Sequence, residues 1–316
     1  MKISLITTVK NEAQHANVLI QSILNQTQKP DEWIVVDGGS EDNTVAAFKD
    51  IPLCTIIEIP CNRARGRNIA IEQASGEIIA ITDVGCVPGL SWLEKLSDEV
   101  SLQNKQIAAG QTICRINGTF DAAQHALMDQ FVSKSLKIRR PAASCRSLAF
   151  HRQAWLEYPF PEWLENCEDS YLLIKWRKNG WTTKFVGDAD IEWLPPQSFF
   201  LFVEQYFRYI RGEGQAAIHT NRHLLRLSFY LGLGILPVLT GGNIFAVIFS
   251  SLVWIAYFLA TSMRLADMME NRSLLFKIKS FLWMLPALPS MDAAKTAGFL
   301  VGSLERMILS KFRARR

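Results

Sequence analysis

Trp33-Ile34-Val35-Val36-Asp37-Gly38-Gly39-Ser40-Glu41-Asp42-Asn43-Thr44 is the stretch whose reading decides the fold. An apolar run rich in β-branched residues reads as a strand. The Asp-Gly-Gly-Ser that ends it reads as a tight turn, and Asp42 to Asp50 as the helix that follows. The same unit recurs on either side. Ile3 to Val9 predicts a strand, and Val18, Leu19, Ile20, Ile23 and Leu24 recur at helical spacing behind it. Beyond it, Thr55 to Ile59 predicts a strand, Arg67 to Ala74 a helix and Glu77 to Thr82 another strand. Strands this continuously apolar, alternating with helices, predict a mainly parallel sheet covered by helices on both faces. In such sheets ligands bind at the carboxyl ends of the strands. Three strands here run straight into polar residues: Lys10-Asn11-Glu12, Asp37-Gly38-Gly39-Ser40 and Asp83-Val84-Gly85. Their convergence locates a site.

Apolarity is high, at 49% of the 316 residues, and it is concentrated after about residue 198. The reading divides the chain into an α/β domain over 1–196, an amphipathic interface helix over 197–226, a transmembrane helical hairpin over 227–263, and interfacial or re-entrant helices with a basic tail over 264–316. Phe199, Phe200, Phe202, Tyr206, Phe207 and Tyr209, with Arg208 and Arg211, suit a helix lying in a membrane interface. Leu227 to Met263 is almost free of charge and is broken by Thr240-Gly241-Gly242-Asn243. A span needs about 20 apolar residues, so the run predicts two short helices joined by that turn. Arg222, His223 and Arg226 before it, and Arg264, Arg272, Lys277 and Lys279 after it, place both ends on the cytoplasmic face of the inner membrane. Phe281 to Met291 is too short and proline-broken to span. The tail, Lys311, Arg313, Arg315 and Arg316, suits anionic headgroups.

Several classes are excluded. The net charge of +4 is not massed into a nucleic-acid-binding arm. Six scattered cysteines, without a C-x-x-C pair or histidines at zinc-site spacing, argue against a structural metal and for reduced thiols in the cytosol. The apolar run at Met1 is too short for a signal peptide.

Thr8-Val9-Lys10-Asn11-Glu12, Val35-Val36-Asp37-Gly38-Gly39-Ser40, Ile81-Thr82-Asp83 and Glu168-Asp169, in this order and spacing, resemble the motifs of family 2 glycosyltransferases over roughly residues 1 to 190. The resemblance implies a GT-A, Rossmann-like fold, a nucleotide-sugar donor and inverting chemistry. It implies that Thr8, Asn11, Glu12 and Asp37 line the donor site, with Asp37 bonding the base. Asp83 matches the first acid of the D-x-D element that holds the donor and a divalent cation, Mg²⁺ or Mn²⁺. Gly85 stands where the second acid would be. Arg63, Arg67 and Asn68, where a basic loop enters a helix, are candidates for holding the diphosphate. Asp169 matches the catalytic base, with Glu168 beside it; the alternative is an acidic pair that stabilises a helix N-terminus by a few tenths to about 1 kcal/mol. Gln205-Tyr206-Phe207-Arg208-Tyr209 is similar to the Q-x-x-R-W element of processive members, which gives Gln205 and Arg208 an acceptor or diphosphate role; an interface helix with a snorkelling arginine explains the same residues. Trp163 is the tryptophan best placed in sequence to stack on an acceptor sugar. The function expected is sugar transfer to a lipid-linked or saccharide acceptor at the membrane, for polysaccharide or glycolipid synthesis. A catalytically decayed binding scaffold, or a nucleotidyltransferase, is the alternative.

Overall fold

The computed structural model describes residues 1–128, 132–133, 138–139, 143–269 and 271–313. Arg140, Pro141, Arg315 and Arg316 lie outside the described residues, as do the side chains of Arg139, Arg264, Lys311 and Arg313. In chain order the elements are β1 (Ile3–Val9), α1 (Ala13–Leu24), β2 (Glu32–Asp37), α2 (Thr44–Phe48), β3 (Cys54–Glu58), α3 (Arg63–Gln73), β4 (Ile78–Ile81), β5 (Cys86–Pro88), α4 (Trp92–Asp98), β6 (Gln106–Cys114), α5 (Thr119–Leu127), β7 (Val132–Ser133), β8 (Ile138–Arg139), β9 (Leu148–His151), α6 (Arg152–Glu157), α7 (Glu168–Lys178), β10 (Thr182–Trp193), α8 (Phe199–Ala216), α9 (Thr220–Leu239), α10 (Ile244–Met268) and α11 (Leu274–Arg313). They form two compact units, Met1–Arg115 with Pro141–Leu194, and Ile116–Arg140 with Pro195–Arg316.

The first unit is built on an eight-stranded sheet in the order β3-β2-β1-β4-β9-β6-β10-β5. The strands β3, β2, β1 and β4 are parallel, as their apolar runs predict. Beyond β4 the sheet is mixed: β9 is antiparallel to both β4 and β6, and β5 is antiparallel to β10. Alternation along each central strand divides the core in two. Leu5, Val9, Trp33, Val35, Ile78 and Ala80 pack with Leu19, Ile20, Ile23 and Phe48 on one face. On the other face Ile6, Ile34, Val36, Ile79 and Ile81 pack with Ala64, Ala70, Ile71, Trp155 and Trp176. Burying each aliphatic side chain is worth about 1.5–3 kcal/mol, so both helical layers are held firmly against the sheet.

Among its described residues the second unit is helical apart from the short β7–β8 pair. Residues 116–140, which the sequence leaves among the α/β elements, belong to it: Ala122, Ala123, Ala126 and Leu127 of α5 pack with Phe202, Met284, Ala287, Leu288 and Met291. The aromatic stretch over Phe199–Ala216 is a helix, but one face of it is covered by protein. A Cβ on Gly298 would lie 2.4 Å from the carbonyl of Phe207, and one on Gly302 2.0 Å from that of Arg211. Two glycines four residues apart thus let α11 approach α8 backbone to backbone. Arg211 and Glu305 clamp the same contact with bonds of 2.7–3.0 Å. The proline-broken run from Phe281 to Met291 is not a separate re-entrant piece. It lies inside the continuous α11, which carries Pro286 and Pro289.

The turn at Thr240–Asn243 separates α9 from α10. Among the described residues one helix, at Ile244–Met263, is long and apolar enough to cross a membrane. The apolar part of α9, Leu227 to Leu239, covers only about 20 Å at 1.5 Å per residue, short of a hydrocarbon core of about 30 Å.

Candidate active site

Four parallel strands deliver their carboxyl ends to one edge of the sheet in register. Val9 pairs with Asp37, Asp37 with Glu58, and the Thr82 N–H donates to Ile6. Lys10 to Glu12, Asp37 to Ser40, Pro60 to Arg63, and Asp83 therefore gather there.

The first two loops are laced together. Asn11 adopts φ +55°, a left-handed conformation that asparagine tolerates better than most residues. Its N–H donates to Ser40 Oγ at 2.9 Å, and its Oδ1 accepts from Glu41 N–H at 2.8 Å. The Glu12 N–H donates to Thr44 Oγ1 at 2.8 Å. Burial pushes the Glu12 carboxyl up, opposed by its bond to His15. Asp37 is only 3% exposed. Its carboxylate accepts from the N–H groups of Gly39 and Ser40 at 3.0 and 2.9 Å and from the Ser40 hydroxyl. Asp37 thus builds the turn and does not project from it. Gly38 is required there, because a Cβ would fall 2.9 Å from the carbonyl of Cys61. The Thr8 hydroxyl is buried with no hydrogen-bond partner among the described residues.

The centre of the site is Arg67, which is 1% exposed. It donates through one Nη to Glu168 and through the other to Asp83 Oδ1 at 2.8 Å, and its guanidinium lies 5.5 Å from the Phe160 ring centroid. Burial alone would raise the Asp83 carboxyl, but Arg67, with Arg63 and Arg146, holds it below the usual carboxylate range. For Glu168 burial prevails over Arg67 and the carboxyl is pushed up. Glu168 is 3% exposed, so this residue, expected beside the base, faces the core. Arg67 and Asn68 also face inward, away from the diphosphate role that the motif suggests. Asn68 spends its amide on Trp155 Nε1, on the backbone of Phe160 and on Glu162, at 2.9–3.0 Å. Arg63, at the first position of α3, is exposed.

Asp169 is the half-open member of the acidic pair. The residue before it and Glu168, Cys167, sits at φ +67°, a strained conformation for a side-chain-bearing residue, and this kink starts α7. Successive helix residues point about 100° apart. Glu168 accordingly turns to Arg67, while Asp169 accepts from the Cys145 N–H at 3.2 Å and the Ser170 N–H at 2.6 Å. Trp163 is 49% exposed and stands edge-on to Tyr171. Trp176 and Trp181 are core.

Gly85 adopts φ +85°, and nothing lies within 4 Å of where its Cβ would be. Asp83 offers a cation one oxygen, the other being held by Arg67. Among the described residues no group of three or more His, Cys, Asp or Glu is arranged to hold a metal ion. Gln205 and Arg208 lie in the helical unit and are engaged on their own helix, with Tyr209 at 2.8 Å and Glu204 at 3.0 Å respectively.

Arg146 escaped the sequence reading. Its guanidinium lies 4.5 Å from the ring centroid of Trp193, in a stretch whose sequence carries no recognisable signal.

Residues 4–155 match the family model described as glycosyl transferase family 2. The glycosyltransferase AglE of Haloferax volcanii is 28% identical over 248 residues, which cover 74% of this chain and 80% of that protein. The mannosyltransferase PcManGT from Pyrobaculum calidifontis, solved with GDP-Man and Mn²⁺, aligns with a TM-score of 0.55 at 18% identity over 97% of this chain and 87% of its own. GalNAc-T7, solved with UDP, GalNAc and Mn²⁺, aligns with a TM-score of 0.51 at 13% identity over 68% of this chain and 47% of its own. These structures share the GT-A fold. With that fold, and with the family's motifs gathered at one edge of the sheet, residues 4–155 form a glycosyl transferase family 2 domain and the chain is a glycosyltransferase.

Proposed function

We propose that the chain transfers a sugar, with inversion, from a nucleotide diphosphate sugar to a lipid-linked or membrane-proximal acceptor in polysaccharide or glycolipid assembly. The observation that supports this best is the division of the acidic pair. Glu168 is sealed against Arg67, whereas Asp169 is half open and oriented by backbone N–H groups. Asp169 takes the proton of an acceptor hydroxyl as that oxygen bonds to the anomeric carbon. The bond from that carbon to the diphosphate oxygen breaks, and its electron pair leaves with the nucleoside diphosphate. Attack from the face opposite the leaving group inverts the configuration. Thr8, Asn11, Glu12, Asp37 and Arg63 frame the donor, and Trp163 stands on the acceptor side. A divalent cation, Mg²⁺ or Mn²⁺, neutralises the leaving diphosphate when bound. Asp83 would hold it through its free oxygen, with the diphosphate completing the shell, an arrangement hard cations accept.

The membrane reading draws on α10. A core helix buries its apolar residues, but Phe245, Phe249, Leu252, Ile255 and Leu259 are all more than half exposed, so this surface suits lipid. An apolar anchor holds the enzyme where a lipid-borne acceptor is found, with the catalytic domain on the cytoplasmic side.

Detergent-purified protein incubated with a panel of UDP-, GDP- and dTDP-sugars, with and without Mn²⁺, tests the proposal by the nucleoside diphosphate released. One donor class is expected to support turnover. Asp169→Asn should lower the rate by about 10²–10⁴-fold while leaving nucleotide binding intact. Turnover at the wild-type rate in that variant would sink the assignment of the base. The anomeric configuration of the product, read by NMR, decides inversion.

A further inference from the structure

The segment Cys145-Arg146 stands between two parts of the site. Cys145 donates its N–H to Asp169. Arg146 rests on Trp193, and Trp193 is fixed beside the Asp83 turn by the sheet: it pairs with Cys86, and the next residue, Leu194, donates to the Gly85 carbonyl at 2.9 Å. The ladder thus carries a stacked guanidinium to the turn where the D-x-D pattern lacks its second acid. The space at that turn is open, since nothing surrounds the Cβ position of Gly85. Arg146 is half-buried and its charge is felt at Asp83. Stacking on an indole face orients a guanidinium, and the planar fork matches a phosphate's oxygens.

We propose that Arg146, carried on the Trp193 ring beside the Gly85 turn, binds the diphosphate of the donor and neutralises the charge it gains as the sugar departs. The role deepens the donor-site reading above and rests on it. Trp193 is the positioning residue that aims the guanidinium. Asp83 and Arg146 then share a task that a pair of acids and a cation performs elsewhere.

The test is calorimetric titration of the full-length protein with UDP and GDP, and with uridine and guanosine, in Mn²⁺ and in EDTA. Arg146→Gln is expected to weaken binding of the preferred nucleoside diphosphate by about 10-fold or more, the worth of a charge-assisted bond, and to leave the nucleoside unchanged. Arg146→Lys should recover part of the loss, and Trp193→Leu should produce an intermediate one. Circular dichroism verifies that each variant is folded. Diphosphate affinity within twofold of wild type in folded Arg146→Gln overturns the inference. If the wild type and folded Arg146→Gln both bind the nucleoside diphosphate in that case, the donor-site reading stands and only the role of Arg146 falls; if neither binds any nucleoside diphosphate, both fall.

Discussion

Arg67 shows how little of a buried site an isolated motif conveys. It lies next to Asn68 in α3, and nothing in their spacing says that both turn inward. Placed under the sheet edge, Arg67 spans Glu168 and Asp83, residues far apart in sequence. Removing one partner from a buried ion pair costs about 3–5 kcal/mol, because the charge left behind has no water to replace it. Arg67→Met should therefore lower stability by that order in urea unfolding, and Arg67→Lys, with one ammonium for two carboxylates, should rescue it only in part. Asp83 adds a pH signature. Its folded pKa is depressed, so its contribution is present above its unfolded value of about 3.9 and is lost as pH falls through the lower folded value. The stability gap between wild type and Asp83→Asn should accordingly narrow below about pH 4. A gap that does not change with pH would mean that Asp83 gains nothing from Arg67 in the folded state.

At the scale of elements, periodicity and punctuation recover the strands, and prolines mislead. Pro286 and Pro289 read as a break, yet α11 continues through them, because Met284, Ala287, Leu288 and Met291 are buried on one stripe. That packing outweighs the hydrogen bonds the prolines cannot make. The spacing Gly298-x-x-x-Gly302 was visible in the sequence, but its meaning needed the partner helix, α8. Gly302→Leu would push a side chain into the Arg211 backbone. It should separate α8 from α11 and lower the thermal midpoint, whereas Gly232→Leu, at a position with nothing within 4 Å, should leave it nearly unchanged.

For the whole molecule, the distribution of apolarity carries the argument for a membrane. Only Ile244–Met263, among the described residues, is long and apolar enough to span a bilayer. Two lysines in place of Phe249 and Leu252 should shift the protein from the carbonate-resistant membrane fraction to the soluble one, since a charge at the helix centre costs about 2.5–3.5 kcal/mol on insertion scales. A cysteine placed at Gly242 reports the topology: labelling by an impermeant thiol reagent only from outside the cell supports a spanning segment, and labelling only from the cytoplasm refutes it.

By itself the sequence determined the alternation of strand and helix, the parallel half of the sheet, the order of the transferase motifs and the apolar C-terminal third. Each is a matter of local composition, in which a residue and its near neighbours suffice. Only the tertiary structure decided which member of each adjacent pair faces inward, Glu168 and not Asp169, and that Arg146 comes to the Asp83 turn. Those outcomes depend on the pairing of Cys86 with Trp193 and on the Arg67 bridge, and contacts between residues so distant along the chain are set by packing, which no local pattern encodes.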